Sequence, residues 1–173
     1  MNYFELFGLP TRFSLDTQLL AERHRELQRT FHPDKYANAS PVERRLAVQR
    51  AAEINQAFHT LSDPVERARY LLQLQGVETE QAAAVSQAFL MEQMEMREAL
   101  AEIREQPDPV AALEALIATI SRRIDSVLLK LAERFEEKSE ASLHAARELV
   151  AELMFLKKIE REANELFDEL LED

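Results

Sequence analysis

Residues 19–61 read LLAERHRELQRTFHPDKYANASPVERRLAVQRAAEINQAFHTL, and this stretch decides the fold. On a helical wheel Leu19, Leu20, Leu27 and Phe31 gather on one side, with Arg23 and His24 at its edges. Arg25 and Arg29, four apart, turn away from that side together with Gln18 and Glu22. Ser14 or Asp16 can cap this helix, and Pro33 stops it: proline lacks the amide hydrogen and disfavours helical geometry at His32. After a polar stretch to Ser40, Pro41 suits a first helical turn. Ala47, Ala51, Ile54, Phe58 and Leu61 then recur at helical spacing. The spacing predicts two antiparallel helices joined by a loop that carries His32-Pro33-Asp34.

Before this stretch, Phe4, Leu6 and Phe7 form a short apolar opening that Gly8-Leu9-Pro10 ends. On the other side Ser62-Asp63-Pro64 caps a short helix with Ala68, Leu71 and Leu72, and Gly76 is a natural stop. Three longer helices follow. The first is expected at about 79–105, burying Val85, Phe89, Met96, Leu100 and Ile103, and it ends before Pro107-Asp108-Pro109. The second, about 109–136, carries Leu113, Leu116, Ile117, Ile120, Ile124, Val127, Leu128, Leu131 and Phe135. The third, about 139–171, carries Leu149, Leu153, Leu156, Ala163 and Phe167. Short connections make these neighbours antiparallel, so a three-helix bundle is the economical packing. The expected fold is all-α, with a helical hairpin domain at 1–75, a linker at 76–79 and a bundle at 80–173.

Composition supports this and narrows the function. Only Gly8 and Gly76 are glycine, and an apolar fraction of 46% with 31% charged residues describes a globular chain. The absence of cysteine excludes thiol catalysis, disulfides and cysteine metal sites. No window is apolar enough to span a bilayer, and no signal-like segment opens the chain, so a soluble cytoplasmic protein without a membrane partner is expected. Charge is uneven: residues 1–76 balance at +1, whereas residues 77–173 carry 11 Lys/Arg against 23 Asp/Glu. Nucleic acid does not suit so acidic a second half.

The first half resembles a J domain. The resemblance rests on His32-Pro33-Asp34-Lys35, on Ile54-Asn55-Gln56-Ala57-Phe58-His59-Thr60-Leu61-Ser62-Asp63-Pro64, and on Arg67 and Tyr70, and it covers roughly residues 1–75. Physically, Pro33 holds the imidazole of His32 and the carboxylate of Asp34 at an exposed turn. The resemblance implies that this turn, with the basic face of the preceding helix, docks on a DnaK-type chaperone and switches on its ATPase. His32, Pro33, Asp34, Arg25, Arg29 and Lys35 are the implied chaperone-binding residues. Glu22 and Glu26 depart from the pattern by interrupting the basic face, which weakens electrostatic steering.

The second half is similar to HscB-type co-chaperones of iron–sulfur cluster assembly. That similarity rests on Phe89-Leu90-Met91-Glu92-Gln93-Met94-Glu95-Met96-Arg97-Glu98, on the opening Tyr3-Phe4-Glu5-Leu6-Phe7-Gly8-Leu9-Pro10, and on Phe155-Leu156-Lys157-Lys158. It implies two partners, an HscA-type DnaK chaperone and an IscU-type scaffold protein, with Leu90, Met91, Met94, Glu95, Glu98, Glu102 and Phe155 binding the scaffold. It implies no cofactor and no covalent chemistry. Lacking the cysteines and targeting segments of eukaryotic relatives, the chain is expected to be a bacterial cytoplasmic form. The wheel agrees independently. With Phe89, Met96, Leu100 and Ile103 defining the core side, Met91 and Met94 fall opposite, beside the glutamates. Phe155 falls more than a hundred degrees, at about 100° per residue, from the Leu149/Leu153/Leu156 stripe.

Other readings remain at this stage. A bundle helix can bury two faces, and the hairpin domain can cover Met91 and Met94. His32 beside Asp34 is in isolation compatible with an ordinary turn, a catalytic pair or a metal pair, but no nucleophile or second ligand stands near it. His24, His59 and His144 lack ligand-like spacing and are expected at edges or on the surface. A J-protein serving a different client is the alternative within the class.

Overall fold

The structure is a computed structural model and describes residues 1–79 and 85–173. Its described residues are helical or irregular, with no strand among them, and the chain divides into two compact units, Met1–Gln75 and Gly76–Asp173.

The first unit contains α1 (Tyr3–Leu6), α2 (Thr17–Thr30), a 3₁₀ turn (Pro33–Tyr36), α3 (Pro41–Ser62) and α4 (Pro64–Leu74). Asp16, rather than Ser14, caps α2, accepting the Leu19 N–H at 3.0 Å. Proline occupies the first position of α3 and of α4, where its missing donor is harmless. Phe4, Phe7, Leu20, Ile54, Leu61 and Leu72 are fully buried and form the core on which these helices close. Gly8 sits at φ 64°, a left-handed conformation that favours glycine, whereas the nearest atom a Cβ would meet, Arg23 Nη1 at 2.9 Å, is the end of a flexible side chain that can move aside. α1 is pinned by Tyr70, whose ring stacks on Tyr3 at 4.6 Å and whose oxygen accepts the Tyr3 N–H. Burial pushes the Tyr70 phenol above its ordinary value, and the Tyr3 hydrogen bond opposes this. Arg67 is buried, a placement the apolar periodicity does not foresee. Its guanidinium lies 4.8 Å over the Phe13 ring and donates to the Leu61 carbonyl at 2.7 Å. Desolvation lowers its pKa, with the Asp63 carboxylate opposing.

The second unit contains α5 (Gln87–Ala101), a 3₁₀ turn (Ile103–Glu105), α6 (Pro109–Glu137) and α7 (Glu140–Glu172). Lys138, in the left-handed region at φ 53°, ends α6. Ser139 and Ser142 then cap α7 reciprocally, each accepting the other's N–H. The hairpin buries Leu113, Ile120, Ile124, Val127, Leu131 and Phe135 against Ala146, Val150, Leu153, Leu156, Ile159 and Ala163. α5 lays Phe89 and Met96 on this hairpin, and Ile103 follows from the 3₁₀ turn.

One expected boundary is corrected. The first bundle helix does not begin near 79: Ser86 accepts the Phe89 N–H at 3.1 Å and starts α5 at Gln87. Val85 therefore precedes the helix and is only half-buried, and the helix ends at Ala101 instead of 105. Residues 80–84, which the expectation included, lie outside the described residues.

Candidate functional site

The HPD turn is built by local hydrogen bonding. His32 is extended (φ −64°, ψ 131°), as a residue before proline must be, and caps the 3₁₀ turn: its Nδ1 accepts the Asp34 N–H at 3.2 Å. In that tautomer the imidazole is neutral and its Nε2–H is left as a donor. The same Nδ1 lies 3.6 Å from Asp34 Oδ2. Side-chain exposures of 56% and 91% place both groups in solvent, where an ion pair contributes little to stability.

Arg25, Arg29, His32, Pro33, Asp34 and Lys35 all line one open cleft of about 850 Å³, with Gln28, Ala51 and Asn55 completing its wall. The sequence pattern gives Asn55 no role of its own. Its Oδ1 faces His24 Nε2 at 3.0 Å and accepts from Gln28 Nε2 at 3.3 Å, clasping α3 to α2 directly behind the cleft. His24 also stacks flat on Phe58 at 3.9 Å, which makes it an edge residue of the helix pair.

The second constellation lies on α5. Leu90, Met91 and Met94 are 47%, 59% and 63% exposed, and Glu95, Glu98 and Glu102 are exposed beside them. None of these three glutamates has an ion-pair partner among the described residues. Phe155 differs from the wheel expectation of an outward side chain. It is half-buried on α7, edge-on to Phe89 at 5.8 Å, and Arg97 lies over its ring at 5.5 Å. The neighbouring Met154 is 48% exposed, a feature the α7 stripe did not signal. Beneath the patch Arg123 of α6 bonds Glu92 of α5 at 3.1 Å and pairs with Glu152 of α7 at 3.7 Å, joining all three helices. Hydrogen bonding to Glu92 raises the Arg123 pKa against desolvation, whereas burial raises the Glu152 carboxyl despite Arg123.

An HPD turn exposed between two antiparallel helices, followed by a helical C-terminal unit, defines a J-domain protein. The particular family follows from the comparisons. Residues 85–164 match the family model described as the HSCB C-terminal oligomerisation domain. A co-chaperone HscB homolog of Shewanella woodyi is 42% identical over 99% of this chain and all of its own length. The structure of chaperone HscB from Vibrio cholerae superposes with a TM-score of 0.90 at 44% identity, covering 98% of this chain and 99% of that one. Human co-chaperone HscB superposes with a TM-score of 0.86 at 28% identity, over 95% and 81% of the two chains. The chain belongs to the HscB family of co-chaperones, J-domain proteins involved in iron–sulfur cluster assembly.

Proposed function

We propose that this chain binds an IscU-type scaffold protein on the α5 face and stimulates the ATPase of an HscA-type DnaK chaperone through the HPD cleft. It would work in the cytoplasm, without enzymatic activity of its own. The observation that carries the reading is the α5 face: three exposed apolar side chains beside Glu95, Glu98 and Glu102, which make no ion pair among the described residues. A monomer gains nothing from such a surface, and methionines adapt readily to a partner's contours. Its charge suits a client with a basic rim around an apolar centre.

In the same reading the HPD cleft supplies the second contact. Arg25, Arg29 and Lys35 steer association, and His32 and Asp34 present polar groups held by Pro33. Holding scaffold on one unit and chaperone on the other raises their mutual effective concentration without any new contact between them. ATP hydrolysis then tightens the chaperone on the scaffold and promotes cluster transfer.

Calorimetric titration of a purified IscU-type scaffold into wild type and into Met91→Ala/Met94→Ala tests the reading. Both methionines are more than half exposed, so truncation opens no cavity. Unchanged affinity with an unchanged melting temperature removes the patch from the interface. No binding by wild type favours the alternative, a J-protein with another client.

A further inference from the structure

Arg97 is the only cation between Gln87 and Ala101, a helix that also carries Glu92, Glu95 and Glu98. It pairs with none of these. Its guanidinium crosses to α7, lies 5.5 Å over the Phe155 ring, and is held there by an ion pair with Glu162. Phe155 is thereby fixed from two sides, by the guanidinium and by the edge-on contact with Phe89. Arg97 and Leu90 lie on the same side of α5, seven residues apart, so the ring is held next to the apolar patch.

We propose that Arg97 is a positioning residue of the α5 patch: with Glu162 as anchor, it locks the Phe155 ring in one orientation before a client arrives. This inference rests on the scaffold-binding reading of the patch. The physical gain is preorganisation, because an aromatic anchor already fixed in the free protein loses less rotamer freedom on association. The planar guanidinium suits the task better than an ammonium, since it stacks on the ring while its remaining N–H groups reach the carboxylate. A second consequence follows from the same geometry. With Arg97 turned to α7, Glu95 and Glu98 stay unpaired and their charge remains available to a basic partner.

Two readouts test this. In wild-type chain, the Arg97 methylene protons nearest the guanidinium should resonate upfield by NMR, shifted by the ring current, and should return to ordinary positions in Phe155→Leu. Ordinary shifts in wild type overturn the locked geometry without reference to any scaffold. The second readout is a double-mutant cycle of scaffold affinity. Arg97→Met, which keeps the apolar stem, should weaken binding about threefold to fivefold, the scale of a partly exposed cation–π contact. It should add nothing in a Phe155→Leu background, and Glu162→Gln should reproduce part of the loss. Melting temperatures are recorded for every variant. Additive losses overturn the proposal, because Arg97 then acts by its own contact or by bundle stability. If Met91→Ala/Met94→Ala weakens binding and Arg97→Met does not, the positioning role fails and the scaffold-binding reading stands.

Discussion

The HPD cleft and the α5 face are both exposed, but they are made differently. The cleft is lined mostly by charged and polar residues, and its key turn is fixed by bonds within three residues: Pro33 sets the backbone and His32 caps Asp34. The α5 face is apolar and is defined by what it fails to contact, three side chains turned away from a core their neighbours fill. A turn specified locally tolerates changes elsewhere but no change within itself. A face specified by helical phase tolerates single truncations and loses function by degrees.

The largest effect should therefore come from the turn. His32→Gln should abolish stimulation of the chaperone ATPase while the melting temperature and scaffold affinity stay at wild-type values. The basis is that His32 and Asp34 lie in solvent and support no core contact. A large loss of thermal stability would make His32 structural and erase the distinction between the two surfaces.

Next in size, Met91→Ala/Met94→Ala should weaken scaffold binding by tens of fold or more, taking about 1–2 kcal/mol for each truncated anchor. Scaffold-independent ATPase stimulation should be unchanged. A fall in both would mean that the two surfaces do not act separately.

A third test sharpens the comparison by attacking what lies under the α5 face. Arg123→Met leaves Glu92 and Glu152 facing each other without their shared cation. The second unit should lose about 1–3 kcal/mol, between the values for exposed and for fully buried pairs. Denaturation followed by circular dichroism measures this, and ATPase stimulation should persist at temperatures where the fold survives. Glu152→Gln should behave oppositely. Burial raises the Glu152 pKa with the attraction of Arg123 already counted, so the folded state holds this proton more tightly than the unfolded chain. This group thus makes stability fall as pH rises from the ordinary carboxylate range through the raised value. The glutamine variant should be at least as stable as wild type at pH 7, and its advantage should vanish toward pH 4. A variant less stable at pH 7 would show that the Arg123 attraction outweighs burial.

The smallest effect is expected from Arg25→Glu/Arg29→Glu, read as a slower association with the chaperone at low salt. Exposed charges are screened over about 8 Å at physiological ionic strength, so the difference should shrink as salt is added. Equal association rates at low salt would return these arginines to a merely solvated helix face.

The contrast between the surfaces also explains what the sequence made legible. The hairpin, its prolines and the HPD turn could be read because each depends on residues adjacent in the chain. The outward placement of Met91 and Met94 could be read from helical phase alone. Phase says nothing of what a neighbouring helix supplies, so the partial burial of Phe155 beneath Arg97, and the anchoring of Arg97 by Glu162 sixty-five positions away, are not legible. Arg67 escaped for the same reason: a charged residue enters a core only when a carbonyl and a ring from other segments receive it. The start of α5 is not legible because residues 77–85 contain no proline or glycine to mark it.

The most direct test of the whole is the steady-state ATPase rate of an HscA-type chaperone at fixed co-chaperone concentration, with and without IscU-type scaffold. Wild type should stimulate alone and more than additively with scaffold. Met91→Ala/Met94→Ala should keep the first response and lose the second, and His32→Gln should lose both. Stimulation by His32→Gln at the wild-type level, or full scaffold synergy in the methionine variant, would contradict the assignment of the two surfaces.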